Sequence, residues 1–199
     1  MSHRRRSQRG EPHSLSHQRR RARQWGWVMA AGLGLVVWHE VPYINWRMAV
    51  APVETARLVL RHDVKGDGAY HAPRSGGRQH RGIDLTAPLG SPVRAIRSGD
   101  VVGVGMHRGL GRFVELKHAG GLRSLYGHLS ETAVTAGERV AQGQPIGTVG
   151  KTGNARHPLI EPHVHLEVVR WGEWIDPTNL GLAAVASDLE RQPDGRGGE

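Results

Sequence analysis

The sequence predicts a small all-β domain, and three observations carry that expectation. Glycine and proline are abundant, 28 and 11 of 199 residues. Aromatic residues make up only 5%. From about Arg61 to Leu180, short apolar alternations recur, each bounded by turn residues. Val101-Val-Gly-Val, Arg112-Phe-Val-Glu-Leu-Lys, Arg123-Ser-Leu-Tyr and His163-Val-His-Leu-Glu-Val-Val are examples. Period two puts successive side chains on opposite faces of a strand, so each run has one buried and one open face.

The chain before this region is of a different kind. Residues 1–24 form a basic arm with eight Arg and one acid, Glu11. The remaining 19 Lys+Arg and 17 Asp+Glu nearly cancel. The formal charge of +9 therefore belongs to the arm and not to the folded body. A nucleic-acid binder needs its basic patch on the domain itself, so that function class is set aside. Residues 25–46 are expected to be a membrane anchor with its interface. Trp25 to Trp38 carries no charge, and Trp25, Trp27 and Trp38 sit where interfacial aromatics belong. As a helix this stretch spans about 21 Å, short of the roughly 30 Å hydrocarbon core, and Arg23 can snorkel to extend it. A signal peptide cut after Ala49-Val50-Ala51 is the alternative, giving a secreted form. Pro52 at that cut favours an uncleaved anchor instead. Arg-rich residues next to an apolar segment stay on the cytoplasmic side, which puts the domain in the periplasm or outside. Residues 47–60 read as a linker, 61–181 as the domain, and 182–199 as a disordered tail.

Cysteine is absent, so neither disulfides nor thiolate metal sites can form. Any metal must sit on His, Asp or Glu. With 13 His in the chain, single short motifs carry little weight. Their placement carries more. His163 and His165 are i and i+2 in an alternating run, and so share one face of a strand. His80 and Asp84 bracket Gly82 and precede Pro88, which favours an extended segment with the two on the same face. Two imidazoles and a carboxylate make a three-ligand zinc site with the fourth position open, as catalytic sites require.

The segments His80-Arg-Gly-Ile-Asp84-Leu, Tyr126-Gly-His128-Leu-Ser and Pro162-His163-Val-His165-Leu-Glu occur in that order. Together they resemble the lysostaphin and LytM-type zinc endopeptidases. Ala87-Pro-Leu-Gly-Ser-Pro-Val-Arg-Ala, Glu138-Arg-Val-Ala-Gln-Gly-Gln-Pro-Ile-Gly and Trp174-Ile-Asp176-Pro177 resemble intervening parts of that family, so the likeness covers about residues 75–180. It implies a small glycine-rich antiparallel β domain, barrel-like, with a duplicated hybrid motif. It also implies one Zn2+ held by His80, Asp84 and His165, with His128 and His163 as catalytic histidines beside it. The implied reaction is hydrolysis of peptide cross-links of bacterial peptidoglycan by metal-activated water. One imidazole would take the water's proton and the other would support the oxyanion, and the sequence does not divide these roles. Peptidoglycan peptide and the membrane are the expected partners; no nucleic acid and no obligate protein partner are implied. Whether a D-amino-acid cross-link or a glycine bridge is cut stays open.

Several other residues have a simpler expected role. His118, His107, His71 and His62 are expected to be structural, and His13 and His17 solvated. Glu167 is expected either to support the site or to point outward. The residues between Gly153 and Pro162 form a loop about four residues longer than the family's, expected at the rim of the site, with His157 as a rim residue. A catalytically inactive relative that binds the wall or activates an amidase is a competing function, but all five positions are filled. The glycine-spaced stretch around Val140–Val149 resembles carrier and phosphotransfer domains, which have no use for the paired His motifs.

Overall fold

A computed structural model describes residues 41–186. The expected arm, most of the expected membrane anchor and the last part of the tail lie outside the described residues. Among those described, no helix is long and apolar enough to cross a membrane.

The chain first forms short strands β1 (Leu58–Leu60), β2 (His62–Asp63), β3 (Gly66–Asp67), β4 (Pro73–Arg74) and β5 (Arg78–Gln79). Then come β6 (Gly82–Thr86), β7 (Pro92–Arg94), β8 (Gly99–His107), β9 (Gly111–Lys117) and the longest, β10 (Leu122–Thr132). The remainder are β11 (Arg139–Val140), β12 (Pro145–Val149), β13 (His163–Arg170), β14 (Glu173–Ile175) and β15 (Ala184–Ala186). The all-β expectation holds: the described helical pieces are 3-10 turns of three or four residues. The main sheet runs β11-β8-β9-β10-β13-β6-β1-β15. It branches, because the far half of β10 leaves β9 and β13 and pairs with β12, which pairs with β7. The main ladder thus branches and leaves β11 and β15 at its two ends, where a barrel-like form was expected. It also contains one parallel pair, β1 with β15.

Alternation does the sorting. In β13, Val164, Leu166 and Val168 are fully buried in the core, and His163, His165 and Glu167 take the opposite face. In β6, Ile83 and Leu85 join the core and leave Asp84 on the same open face as the histidines. Burying each such Leu or Ile contributes about 1.5–3 kcal/mol, which fixes the register that the site depends on.

Two boundaries differ from the sequence expectation. Residues 47–60, expected as a linker, are packed on the domain. Val53 and Leu58 lie in its core, Val50 N–H donates to Ile96 O at 3.0 Å, and Gln142 Oε1 accepts from Arg47 N–H at 3.3 Å. These apolar residues are too irregularly spaced to show a period, so their burial left no signal. Residues 182–186 were expected in the tail, yet Leu182 is buried and β15 extends the sheet beside β1.

Candidate metal centre

The register of three neighbouring strands builds the floor of a cleft. Asp84 on β6 lies directly opposite His165 on β13, and Gly127 on β10 lies opposite His165 from the other side. His80 precedes β6 by two residues. Its Nε2 lies 3.2 Å from Asp84 Oδ1 and 3.0 Å from His165 Nδ1, and His165 Nδ1 lies 2.8 Å from Asp84 Oδ1. Ligands about 2.0–2.1 Å from a tetrahedral zinc are separated by about 3.3 Å, close to these three distances. His80, Asp84 and His165 can therefore hold a metal ion. All three are buried, so the cluster is a convergence of interior groups and not a patch of surface charge.

Each donor atom is aimed by a second contact. His80 Nδ1 lies 2.8 Å from Ala69 O. A carbonyl only accepts, so that nitrogen carries the proton and Nε2 presents its lone pair. His165 presents Nδ1, because Nε2 donates to Glu167 Oε1 at 3.0 Å. Glu167 is thus a supporting group and not an outward strand residue. Such carboxylate–imidazole contacts fix the tautomer and ring orientation of a metal ligand. Asp84 Oδ2 accepts from Arg61 Nη2 at 3.0 Å and from Arg74 Nη2 at 3.3 Å, leaving Oδ1 for the cluster. Burial alone would raise the Asp84 pKa, but the hydrogen bond from His165 and the imidazoles packed around it hold it well below the usual carboxylate range. For His165, burial opposes the charge, but Asp84 and Glu167 accept from both ring nitrogens and push it up to about 9.

His128 and His163 stand beside this cluster. Their ring centroids are 4.9 Å apart, and those of His128 and His165 are 5.8 Å apart. His128 sits where β10 changes register. Leu122, Ser124 and Tyr126 point inward at even positions, whereas beyond the break it is Leu129 that is buried. The extra residue is a β-bulge, a device that redirects side chains next to active sites. His128 has φ of 63°, a left-handed conformation that costs a non-glycine residue on the order of 1 kcal/mol. Its Nδ1 donates to Thr152 O at 2.9 Å. That carbonyl is in place because Gly153, at φ 61°, lets the loop lie against Gly109 and Gly111, where any β-carbon would collide with backbone. His163 Nδ1 donates to Glu161 O at 2.6 Å. Both rings thus keep the proton on Nδ1 and offer a bare Nε2, and His163 Nε2 lies 3.8 Å from Asp84 Oδ1. Burial, followed by the neighbouring imidazoles, lowers His128 to about 3. Burial also lowers His163, with Asp84 opposing the shift. Both are neutral at pH 7.

The structure thus brings all five sequence-derived residues to one cleft. His118 is structural, between Ser98 O at 3.0 Å and Ser124 Oγ at 2.7 Å. His71 and His107, expected to be structural, are exposed and line the cleft instead. The loop Asn154–Glu161 is at the rim as expected: Asn154, Ala155 and Ile160 line the cleft, and His157 is exposed. Arg61 and Arg74 escaped the sequence reading. An arginine closing the apolar run Leu58-Val-Leu was the available signal for Arg61, which is only 4% exposed and also pairs with Asp63 at 2.7 Å. Asp63 Oδ2 in turn accepts from Glu161 N–H at 3.1 Å, so this segment braces both the Asp84 carboxylate and the strand end that carries His163.

Residues 78–177 match the family model described as Peptidase family M23, and that stretch contains all five residues. The chain is 36% identical over 110 residues to the peptidoglycan DD-endopeptidase ShyC of Vibrio cholerae, covering 55% of this chain and 24% of that protein. Indeed, it spans only about a quarter of the length of its first curated relatives. Among solved structures, a zinc-containing peptidase from Vibrio cholerae aligns with a TM-score of 0.53 and 28% identity, over 67% of this chain and 39% of that one. The catalytic domain of lysostaphin from Staphylococcus simulans aligns with a TM-score of 0.50 and 33% identity, over 60% of this chain and 92% of that domain.

Proposed function

The chain belongs to peptidase family M23, and from that premise we propose that it is a zinc-dependent endopeptidase that hydrolyses the peptide cross-links of bacterial peptidoglycan. The observation that carries this is the pairing of two groups of side chains in one cleft. Three donor atoms converge at zinc-ligand spacing, and two neutral imidazoles with bare Nε2 atoms stand next to them. His80 Nε2, Asp84 Oδ1 and His165 Nδ1 would hold the ion. Zinc when bound supplies Lewis-acid polarisation of the scissile carbonyl and lowers the pKa of water toward 7. The protein's own residues supply the rest. Arg61 and Glu167 keep the ligand atoms aimed. One of His128 and His163 accepts the proton of the attacking water and, once protonated, passes it to the leaving amine, while the other imidazole stands beside the forming oxyanion. The bulge at His128 and the close docking of Thr152 keep that ring from swinging away, which is where the backbone strain is repaid.

Relatives named as peptidoglycan endopeptidases support the substrate class. The basic arm and apolar segment preceding the domain support a single-pass anchor with the cleft on the far side of the cytoplasmic membrane. The test is digestion of purified peptidoglycan fragments by the zinc-loaded full chain, with products identified by mass. Fragments shortened at a peptide cross-link are expected. Intact fragments after prolonged incubation with fully loaded protein would overturn the proposal.

A further inference from the structure

The two sides of the cleft differ sharply in charge. The side beyond β10 is lined by Gly109, Leu110, Asn154 and Ala155, with no formal charge. The side beyond β6 is lined by Lys65, Arg74, Arg78 and Arg81, all from the short-stranded segment before β6 and its immediate approach. Only two acids, Asp84 and Glu167, line the cleft, and both are committed, to Arg61 and to His165. Among the described residues, no acidic side chain pairs with Lys65, Arg78 or Arg81.

The arginines are also held in place. Arg74 and Arg78 are directly opposite each other on the two-residue ladder of β4 and β5, whose tip is Gly76 and Gly77 at φ 75° and 71°. Arg74 is held by Asp67 O at 2.6 Å and reaches Asp84 at 3.3 Å, which fixes this hairpin beside the metal-binding cluster. Arg81 is held over the ring of Trp174, 5.2 Å from its centroid, so its guanidinium is presented in one place.

Resting on the endopeptidase proposal above, we infer that Lys65, Arg78 and Arg81, backed by Arg74, form a subsite for carboxylate groups of the substrate. The enzyme thereby selects acidic peptides, those with free carboxylates flanking the scissile bond, over the same peptides with those groups amidated. Guanidinium forks match a carboxylate with two parallel hydrogen bonds, which sets orientation as well as affinity. These cations line the rim of the cleft that holds the His80, Asp84 and His165 cluster, which favours a peptide carboxylate over a polyanionic surface.

The experiment is equilibrium binding to the full chain kept in chelator, so that nothing is cut. The probes are a cross-linked peptide with free carboxylates, its amidated counterpart, and inorganic phosphate. The free-carboxylate peptide is expected to bind at least tenfold more tightly than the amidated one. In Arg78→Gln/Arg81→Gln, that preference should fall to near one. Lys65→Gln, a single exposed change, should lower it part of the way and covers the case in which the double variant does not fold. Equal binding of the two peptides by the unmodified chain overturns the inference. So does phosphate binding as tightly as the acidic peptide, which would mark a general anion site. A zinc-loaded chain that cuts neither peptide sinks the endopeptidase proposal, and the binding comparison still decides the subsite.

Discussion

The floor of the cleft is set by strand register, whereas its rim is set by loops and two-residue ladders. On the floor, Asp84 and His165 face each other across β6 and β13, and the imidazoles of His80, His128, His163 and His165 each have a partner within 3.0 Å that aims the ring. On the rim, Lys65, Arg78, Asn154 and His157 are exposed and sit on turns or at the ends of minimal strands. Chemistry needs atoms fixed to within a fraction of an ångström, and a buried sheet supplies that. Selectivity tolerates looser positioning and more variation, which surface loops supply. If this division is right, floor and rim substitutions should differ in kind as well as in size.

The largest effect expected is on the floor. Asp84→Ala should abolish turnover, and Arg61→Gln should weaken it less, because Oδ2 loses one of two donors. Next come the imidazoles beside the cluster. His128→Ala or His163→Ala should lower kcat by roughly 10²–10⁴ while KM changes little. Kinetics on a soluble wall fragment would check this, and a loss confined to KM would move these residues from chemistry to binding. Glu167→Gln should weaken zinc affinity by roughly 10–100-fold, measurable by competition with a chelator, since the carboxylate fixes His165 through Nε2. Unchanged affinity would make Glu167 a packing residue.

Protons sharpen the comparison. His165 is raised to about 9 by Asp84 and Glu167 against the cost of burial. Its folded-state pKa exceeds the unfolded value near 6.5, so the proton stabilises the chelated protein fully below about pH 6.5. That contribution is lost as pH rises through about 9. A metal ion at Nδ1 takes the place of this proton, so zinc binding at pH 7 should release about one proton. Titration calorimetry in buffers of different ionisation enthalpy reads this directly, and zero release would contradict the assignment of Nδ1. The smallest effect is expected at the rim. Shortening Asn154–Glu161 by about four residues, with Gly153 and Glu161 retained, should leave zinc occupancy unchanged and alter preference among wall fragments. Identical kinetics on every fragment would make the loop a passive surface.

The sequence and the structure agree most closely where short-range pattern determines the answer. Alternation in His163–Val169 placed the two histidines on one face, and four-residue spacing placed His80 with Asp84. Neither pattern gives register. The contact between His165 and Asp84 joins residues 81 apart, and only the paired strands bring them together. Arg61 was illegible for the same reason, because it acts through Asp84 on another strand, whereas Glu167 acts through His165 two residues away on its own strand. The bulge at His128 leaves only a faint trace, a shift of inward positions from even to odd between Tyr126 and Leu129. Val53 and Leu58 were missed because single apolar residues in an irregular segment carry no period, although the core buries them.

The central claim is that one set of side chains holds the metal and a neighbouring set does not. Zinc content of the purified full chain tests it most directly, measured on the unmodified protein, His165→Ala and His163→Ala, with folding checked by circular dichroism. About one zinc per chain is expected in the unmodified protein and in His163→Ala, and none in His165→Ala. Full occupancy in His165→Ala, or loss of zinc from a folded His163→Ala, would contradict the account.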